Sequence, residues 1–150
     1  MRSGLTEASE GPVTVAAAAA VPWAYVAGLK DRLPAASEPL REFRAALEEG
    51  DRELARRFHA DEPVETLVRD RALLVDALLV RAWAMHAGEV AGDLALVEVG
   101  GYGRGELLPC SDIDVMVLLP QGEQPGWTTA LERFLTFLWD IGLEIGHSVR

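Results

Sequence analysis

The chain has 150 residues, 49% of them hydrophobic and 25% charged, which is enough for one domain with a real core. Its formal net charge of −10 argues against a non-specific nucleic-acid binder, which needs a basic footprint to displace counterions from phosphates, and so disfavours a role on DNA. Cys110 is the only cysteine, so no intrachain disulfide can form, in agreement with a reducing cytoplasm; with nothing beside it to lower its pKa, it reads as a packing residue rather than a reactive thiol.

Residues 1–39 mix small, acidic and proline residues with the alanine tract Ala16–Ala20, and read as a variable, partly disordered arm with room for one short helix. The apolar run Val13–Leu29 is neither an export signal nor a membrane span. Glu7 and Glu10 stand against Arg2 alone, the wrong charge for a secretory leader, and Pro22 interrupts a run already too short. From Leu40, the spacing of Phe43, Leu47, Leu54 and Phe58 predicts a helical stripe, with Gly50 and Asp51 marking a break between two short helices.

Asp61-Glu62-Pro63 is a helix opening, with acidic residues near the positive end of the dipole and proline in the first turn. The helix it starts is expected to run to about His86 and stop at Gly88. Leu67, Leu74, Leu78 and Met85 fall near one face, with Arg69, Asp70 and Asp76 largely off it. His59 and His86 fall at helix ends, where a solvent-facing or capping role outweighs metal ligation. This helical segment, residues 40–88, is expected to pack against a sheet formed by residues 89–150.

That sheet begins in the stretch Leu94–Pro120, LALVEVGGYGRGELLPCSDIDVMVLLP. Leu94 to Val99 is aliphatic and rich in β-branched residues, long enough for a buried strand and too short for a helix. Gly100, Gly101, Gly103 and Gly105 follow within six positions, a density that fits a turn approached closely by a ligand such as phosphate. The second strand, Ile113 to Leu119, carries Asp112 at its start and Asp114 inside it. Residues two apart on a strand point to the same face, roughly 7 Å between Cα atoms. Both carboxylates therefore face one site, and Ile113, Val115 and Val117 face the other way. Two carboxylates side by side repel each other, and a bound divalent cation is the simplest compensation. Mg²⁺ suits such a pair, because it takes one or two protein carboxylates together with substrate phosphates.

Gln121–Gly126 reads as a polar turn, and Thr129 with Glu132 has the spacing of a capping box. Leu131, Phe134, Leu135, Leu138 and Ile141 then make an amphipathic helix ended by Gly142, and Leu143–Val149 begins a third strand.

Neither Asp-x-Asp nor a glycine cluster is diagnostic alone. No Gly-Lys-Ser/Thr follows, so the stretch is not a P-loop; Gly101-x-Gly103-x-Gly105 lacks the dinucleotide spacing, and an EF-hand loop needs ligands that are absent. Val99-Gly100-Gly101, a spacer of about ten residues, then Asp112-Ile113-Asp114-Val115 resembles the DNA polymerase β-type nucleotidyltransferase superfamily. More narrowly, VGGYGRGELLPCSDIDVMVLL is similar to the N-terminal nucleotidyltransferase domain of the bifunctional uridylyltransferase/uridylyl-removing enzymes that modify the nitrogen-regulatory PII protein. Leu67–Trp83 and Leu138–Arg150 resemble that family too, so the resemblance covers about Leu40 to Arg150.

The resemblance implies an α+β fold: a polymerase β-like core with a truncated mixed sheet and flanking helices, preceded by a helical segment. It implies UMP transfer from UTP, or AMP from ATP in relatives, to a tyrosine of a PII-type protein, in the cytoplasm, with no membrane or nucleic-acid partner. Asp112 and Asp114 are then the catalytic, Mg²⁺-binding carboxylates. Gly100 and Gly101 let backbone N–H groups approach the phosphates. Arg104 adds a phosphate contact or makes a surface salt bridge, and Ser111 bonds a phosphate oxygen or simply turns the chain. The superfamily uses a third carboxylate on a later strand, expected beyond Arg150; Glu144 is the only local candidate, and His147 fits a strand-end histidine better than a base. The family's hydrolase and glutamine-sensing domains are not in these 150 residues, so a truncated protein with little activity by itself is expected. The rival readings are a related adenylyltransferase, a nucleotide-binding fragment without turnover, and a plain structural domain.

Overall fold

From Val64 to Ala87 the sequence contains neither glycine nor proline, and the chain forms one helix over those 24 residues. A computed structural model shows this, and describes residues 23–150 apart from positions 91, 110, 123 and 125. The expectations for residues 1–22 and for Cys110 lie outside the described residues. In the order of the chain the elements are α1 (Ala24–Arg32), α2 (Pro39–His59), α3 (Val64–Ala87), β1 (Ala95–Glu98), α4 (Gly100–Gly103), β2 (Ile113–Leu118), α5 (Trp127–Asp140) and β3 (Ile145–Val149). Pro63 has no N–H to leave unpaired at the start of α3, and its carbonyl accepts the N–H groups of Thr66 and Leu67.

Helix α3 is the element on which α1, α2 and α5 all pack. Leu74, Val75, Leu78, Leu79 and Ala82 are buried along it. The break expected at Gly50 does not occur, and α2 runs unbroken through it. Gly50 is buried against α3, where an added Cβ would lie 2.5 Å from Leu74 Cδ2. The missing side chain thus serves close helix packing rather than a turn. Asp70 and Asp76 correct the expected faces of α3. Asp70 is buried and sits 2.8 Å from the Arg57 guanidinium of α2, both side chains only 12% exposed. Asp76 is half-buried and accepts a hydrogen bond from Tyr102. Helix α1 falls in the stretch expected to be an arm; Leu29 and Leu33 enter the core, and the Tyr25 hydroxyl donates to the Ala46 carbonyl at 2.8 Å.

The sheet has the order β1-β2-β3, with β1 antiparallel and β3 parallel to the central β2. A parallel neighbour needs a crossover, and α5 supplies it. Ile113, Val115 and Val117 of β2 are buried, the first two in one core with α2, α3 and α5. The expected Thr129–Glu132 capping box is not formed. Helix α5 starts earlier, at Trp127, after Gly126 in the left-handed region. Burial of the Trp127 ring with Leu94 and Val117 draws the first turn onto the sheet, leaving Thr129 inside the helix. The result is the expected α+β architecture, a small mixed sheet with flanking helices.

Candidate functional site

Strand β2 sorts its side chains by the alternation of an extended chain. Asp112, just before it, and Asp114, within it, are exposed, while Ile113 and Val115 are buried on the other face. Asp114 is paired in register with Gly146 of β3, and its carbonyl accepts the Val99 N–H at 3.0 Å. The carboxylate of Asp114 lies between two residues without side chains. A Cβ on Gly146 would come within 2.5 Å of Oδ1, and one on Gly100, whose φ is +65°, within 3.2 Å of Oδ2. This cradle leaves both oxygens uncovered.

The glycine turn stands beside that carboxylate as the single helical turn α4. Its later amides are used internally: Gly103 N–H donates to Val99, Arg104 and Glu106 N–H to Gly101, and Gly105 N–H to Tyr102. Among the described residues, no turn or loop bond takes the N–H groups of Gly100, Gly101 or Tyr102. Further on, Leu107 is buried and its N–H donates to the Val68 carbonyl of α3.

A groove of about 800 Å³ runs between this turn, α3 and the start of β2, lined by Arg69, Gly101, Arg104, Ser111, Asp112 and Asp114. Five of the six residues singled out in the sequence therefore border one space, and the sixth, Gly100, stands where an added Cβ would lie 3.2 Å from Asp114 Oδ2. Arg104 is exposed and makes no salt bridge among the described residues. Ser111 turns the chain into β2, its N–H donating to Leu108 at 3.1 Å, and it also borders the groove. Arg69, placed off the apolar face of α3 in the sequence, brings a second guanidinium to this groove. No linear motif contains it, because α3 meets the turn only in the fold.

Glu144 is exposed and gives its carbonyl to the Ile113 N–H at 2.9 Å; its side of the structure is a separate shallow groove shared with Asp112. No group of three acidic, histidine or cysteine side chains placed to hold a metal ion occurs among the described residues. His147 pairs in register with Val115, on the face opposite Asp114, and its ring lies 6.0 Å from that of Trp139. His86 is not the solvent-facing residue expected. Its half-buried ring packs on Phe137 at 4.6 Å, and burial, then the Arg133 charge, pushes its pKa down.

The groove thus brings together two exposed carboxylates, the glycine turn and two arginines, Arg69 and Arg104. Two hard oxygen donors on one side of an open groove fit a hexacoordinate divalent cation that takes its other ligands from water and phosphate.

Behind the turn lies a second acidic group that the sequence did not point to. The Tyr102 hydroxyl donates to Asp76 Oδ1, and Glu98 stands near this pair at the end of β1. Hydrogen bonding toward Asp76 first, then burial and the charge of Asp76, push the Glu98 pKa up to about 7. Glu98 therefore stays protonated in the fold at pH values where it is ionised in the unfolded chain. Between its ordinary value of 4.5 and about 7 the folded state holds the extra proton, so stability falls as pH rises through that window. Glu98→Gln removes this loss: thermal melts should show the variant more stable than the parent at pH 8, with the difference shrinking toward pH 4.5.

Comparison with known proteins agrees with this geometry. Residues 87–146 match the model of the family described as nucleotidyltransferase domain. Bifunctional uridylyltransferase/uridylyl-removing enzymes are similar over 114 residues: 48% identical in Pseudomonas putida (strain W619), 45% in Pseudomonas fluorescens (strain SBW25) and 44% in Stutzerimonas stutzeri (strain A1501). Each match covers 76% of this chain and 13% of the relative, so the chain spans about an eighth of the length of these curated relatives. No solved structure matches it. Among the described residues, no helix is long and apolar enough to cross a membrane. The paired carboxylates, the glycine turn and the groove between them lie within or beside a segment that matches the nucleotidyltransferase domain, in a chain similar over 114 residues to the bifunctional uridylyltransferase/uridylyl-removing enzymes.

Proposed function

We propose that this chain supplies the nucleotide- and metal-binding part of a Mg²⁺-dependent, cytoplasmic uridylyltransferase that moves UMP from UTP to a tyrosine hydroxyl of a PII-type signalling protein. The observation that carries the reading is that both carboxylates and the glycine turn border one open groove. Asp112 and Asp114 would hold Mg²⁺ through their exposed oxygens. The cation, when bound, neutralises triphosphate charge and aligns the attacking and leaving oxygens. The N–H groups of Gly100 and Gly101 donate to β- and γ-phosphate oxygens, as a backbone nest does. Arg104 and Arg69 add charge-assisted bonds to the pyrophosphate that leaves as the tyrosine oxygen bonds the α-phosphorus. Ser111 donates to a phosphate oxygen at the rim. Catalysis by this arrangement is positioning and electrostatic stabilisation, with no covalent intermediate on the protein.

Gly146 offers a specific check, because its hydrogen is what gives the Asp114 carboxylate room. Gly146→Ala places a methyl carbon 2.5 Å from Oδ1, too close for contact, and turns the carboxylate away. Mg²⁺-dependent UTP binding should weaken by about tenfold or more, with the melting temperature little changed. Unaltered binding would show that Asp114 does not act from this position. The reading as a whole is tested by incubating the chain with Mg²⁺, a PII-type acceptor and UTP or ATP labelled at the α-phosphate. Label from UTP on the acceptor tyrosine, at a low rate from this chain by itself, is the expected product. Label from ATP would make the donor adenylyl, and Mg²⁺-dependent UTP binding without transfer would mark a binding unit that does not turn over.

A further inference from the structure

Three of the four residues of α4 are glycines, which lose more conformational freedom on ordering than any other residue. A turn of this composition does not hold its own shape, yet amides that meet phosphate oxygens must be placed before the ligand arrives. Tyr102 is the only side chain in the turn. Its ring is 2% exposed, and its hydroxyl donates to Asp76 Oδ1 on α3, the helix on which α1, α2 and α5 pack. The turn is thus tied through one phenol to the helix at the centre of the packing.

We infer that Tyr102 and Asp76 are positioning residues for nucleotide binding: their hydrogen bond fixes the glycine turn so that the Gly100 and Gly101 amides stand ready for the triphosphate. The inference rests on the function proposed above and names the internal support of that site. A charged acceptor makes this bond stronger than one between neutral groups. Without it the ring can stay packed while the backbone around it samples other turns, and binding must then bear the cost of ordering it. Asp76 does not border the groove, and the Tyr102 hydroxyl is engaged with Asp76.

The test uses the whole chain with Tyr102→Phe, Asp76→Ala and Asp76→Asn, and reads Mg²⁺-dependent UTP affinity beside amide hydrogen exchange. Tyr102→Phe keeps the ring and loses the bond. Asp76→Asn keeps an acceptor oxygen for the phenol. Tyr102→Phe and Asp76→Ala should weaken UTP binding about tenfold and speed exchange at residues 100–106, with exchange in the middle of α3 unchanged. Asp76→Asn should recover affinity to within about threefold of the parent. Parental affinity and exchange in Tyr102→Phe would overturn the inference, and so would exchange rising equally in α3, which marks a general loss of stability. Asp112→Asn separates the two readings. If it leaves Mg²⁺-dependent binding intact, the proposed metal site fails, while exchange at residues 100–106 still decides whether the phenol holds the turn.

Discussion

Replacing Asp112 and Asp114 together by asparagine should abolish Mg²⁺-dependent uridylyl transfer while leaving the fold intact. Both side chains are exposed, and neither forms a salt bridge among the described residues, so their loss removes no packing. It also removes the repulsion of two neighbouring like charges, so the melting temperature should hold or rise slightly. The effect on chemistry is of another order, because the carboxylates act where charge must be balanced during transfer. Each single change should cost about 10²–10³-fold in transfer rate, and the pair should act as a unit rather than additively. Steady-state label transfer with the singles and the double, beside circular dichroism of each, checks this. Near-parental transfer by the folded double variant would exclude the role given to β2.

The largest loss of stability is expected at Phe134. Its side chain is completely buried on α5, lies edge-on to Trp83 of α3 at 5.1 Å, and belongs to the core that includes Ile113 and Val115. Phe134→Ala leaves a cavity between α3, α5 and the sheet. The cost should be about 3–5 kcal/mol, seen as a lower urea midpoint and a melting temperature down by roughly 10 °C. Since Phe134 supports the hidden face of the strand that carries Asp114, UTP affinity should fall only with the folded fraction. Loss of binding in fully folded Phe134→Ala would mean that this packing sets carboxylate geometry directly.

Much of the arrangement was readable in the chain. The alternation from Asp112 to Val117 announces one polar and one buried face, and the run without glycine or proline from Val64 announces α3. What stayed hidden has physical causes. A helical glycine reads the same whether it breaks a helix or lets a neighbour in, and only the position of Leu74 decides for Gly50. Asp70 and Asp76 look like solvated charges until Arg57 and Tyr102 arrive from other elements. Arg69 reaches the groove through the packing of α3 beside the glycine turn, a juxtaposition that no local pattern encodes. The capping-box spacing at Thr129 lost to the burial of Trp127, worth more than one capped N–H.

In the proposed site, Asp112 and Asp114 bind a triphosphate through a shared cation. Isothermal titration of the chain with UTP, with Mg²⁺ and with EDTA, beside the Asp112→Asn, Asp114→Asn double variant, tests it most directly. The parent should bind saturably with Mg²⁺, and that binding should be lost with EDTA and in the double variant. Equal UTP affinity in all three conditions would contradict it.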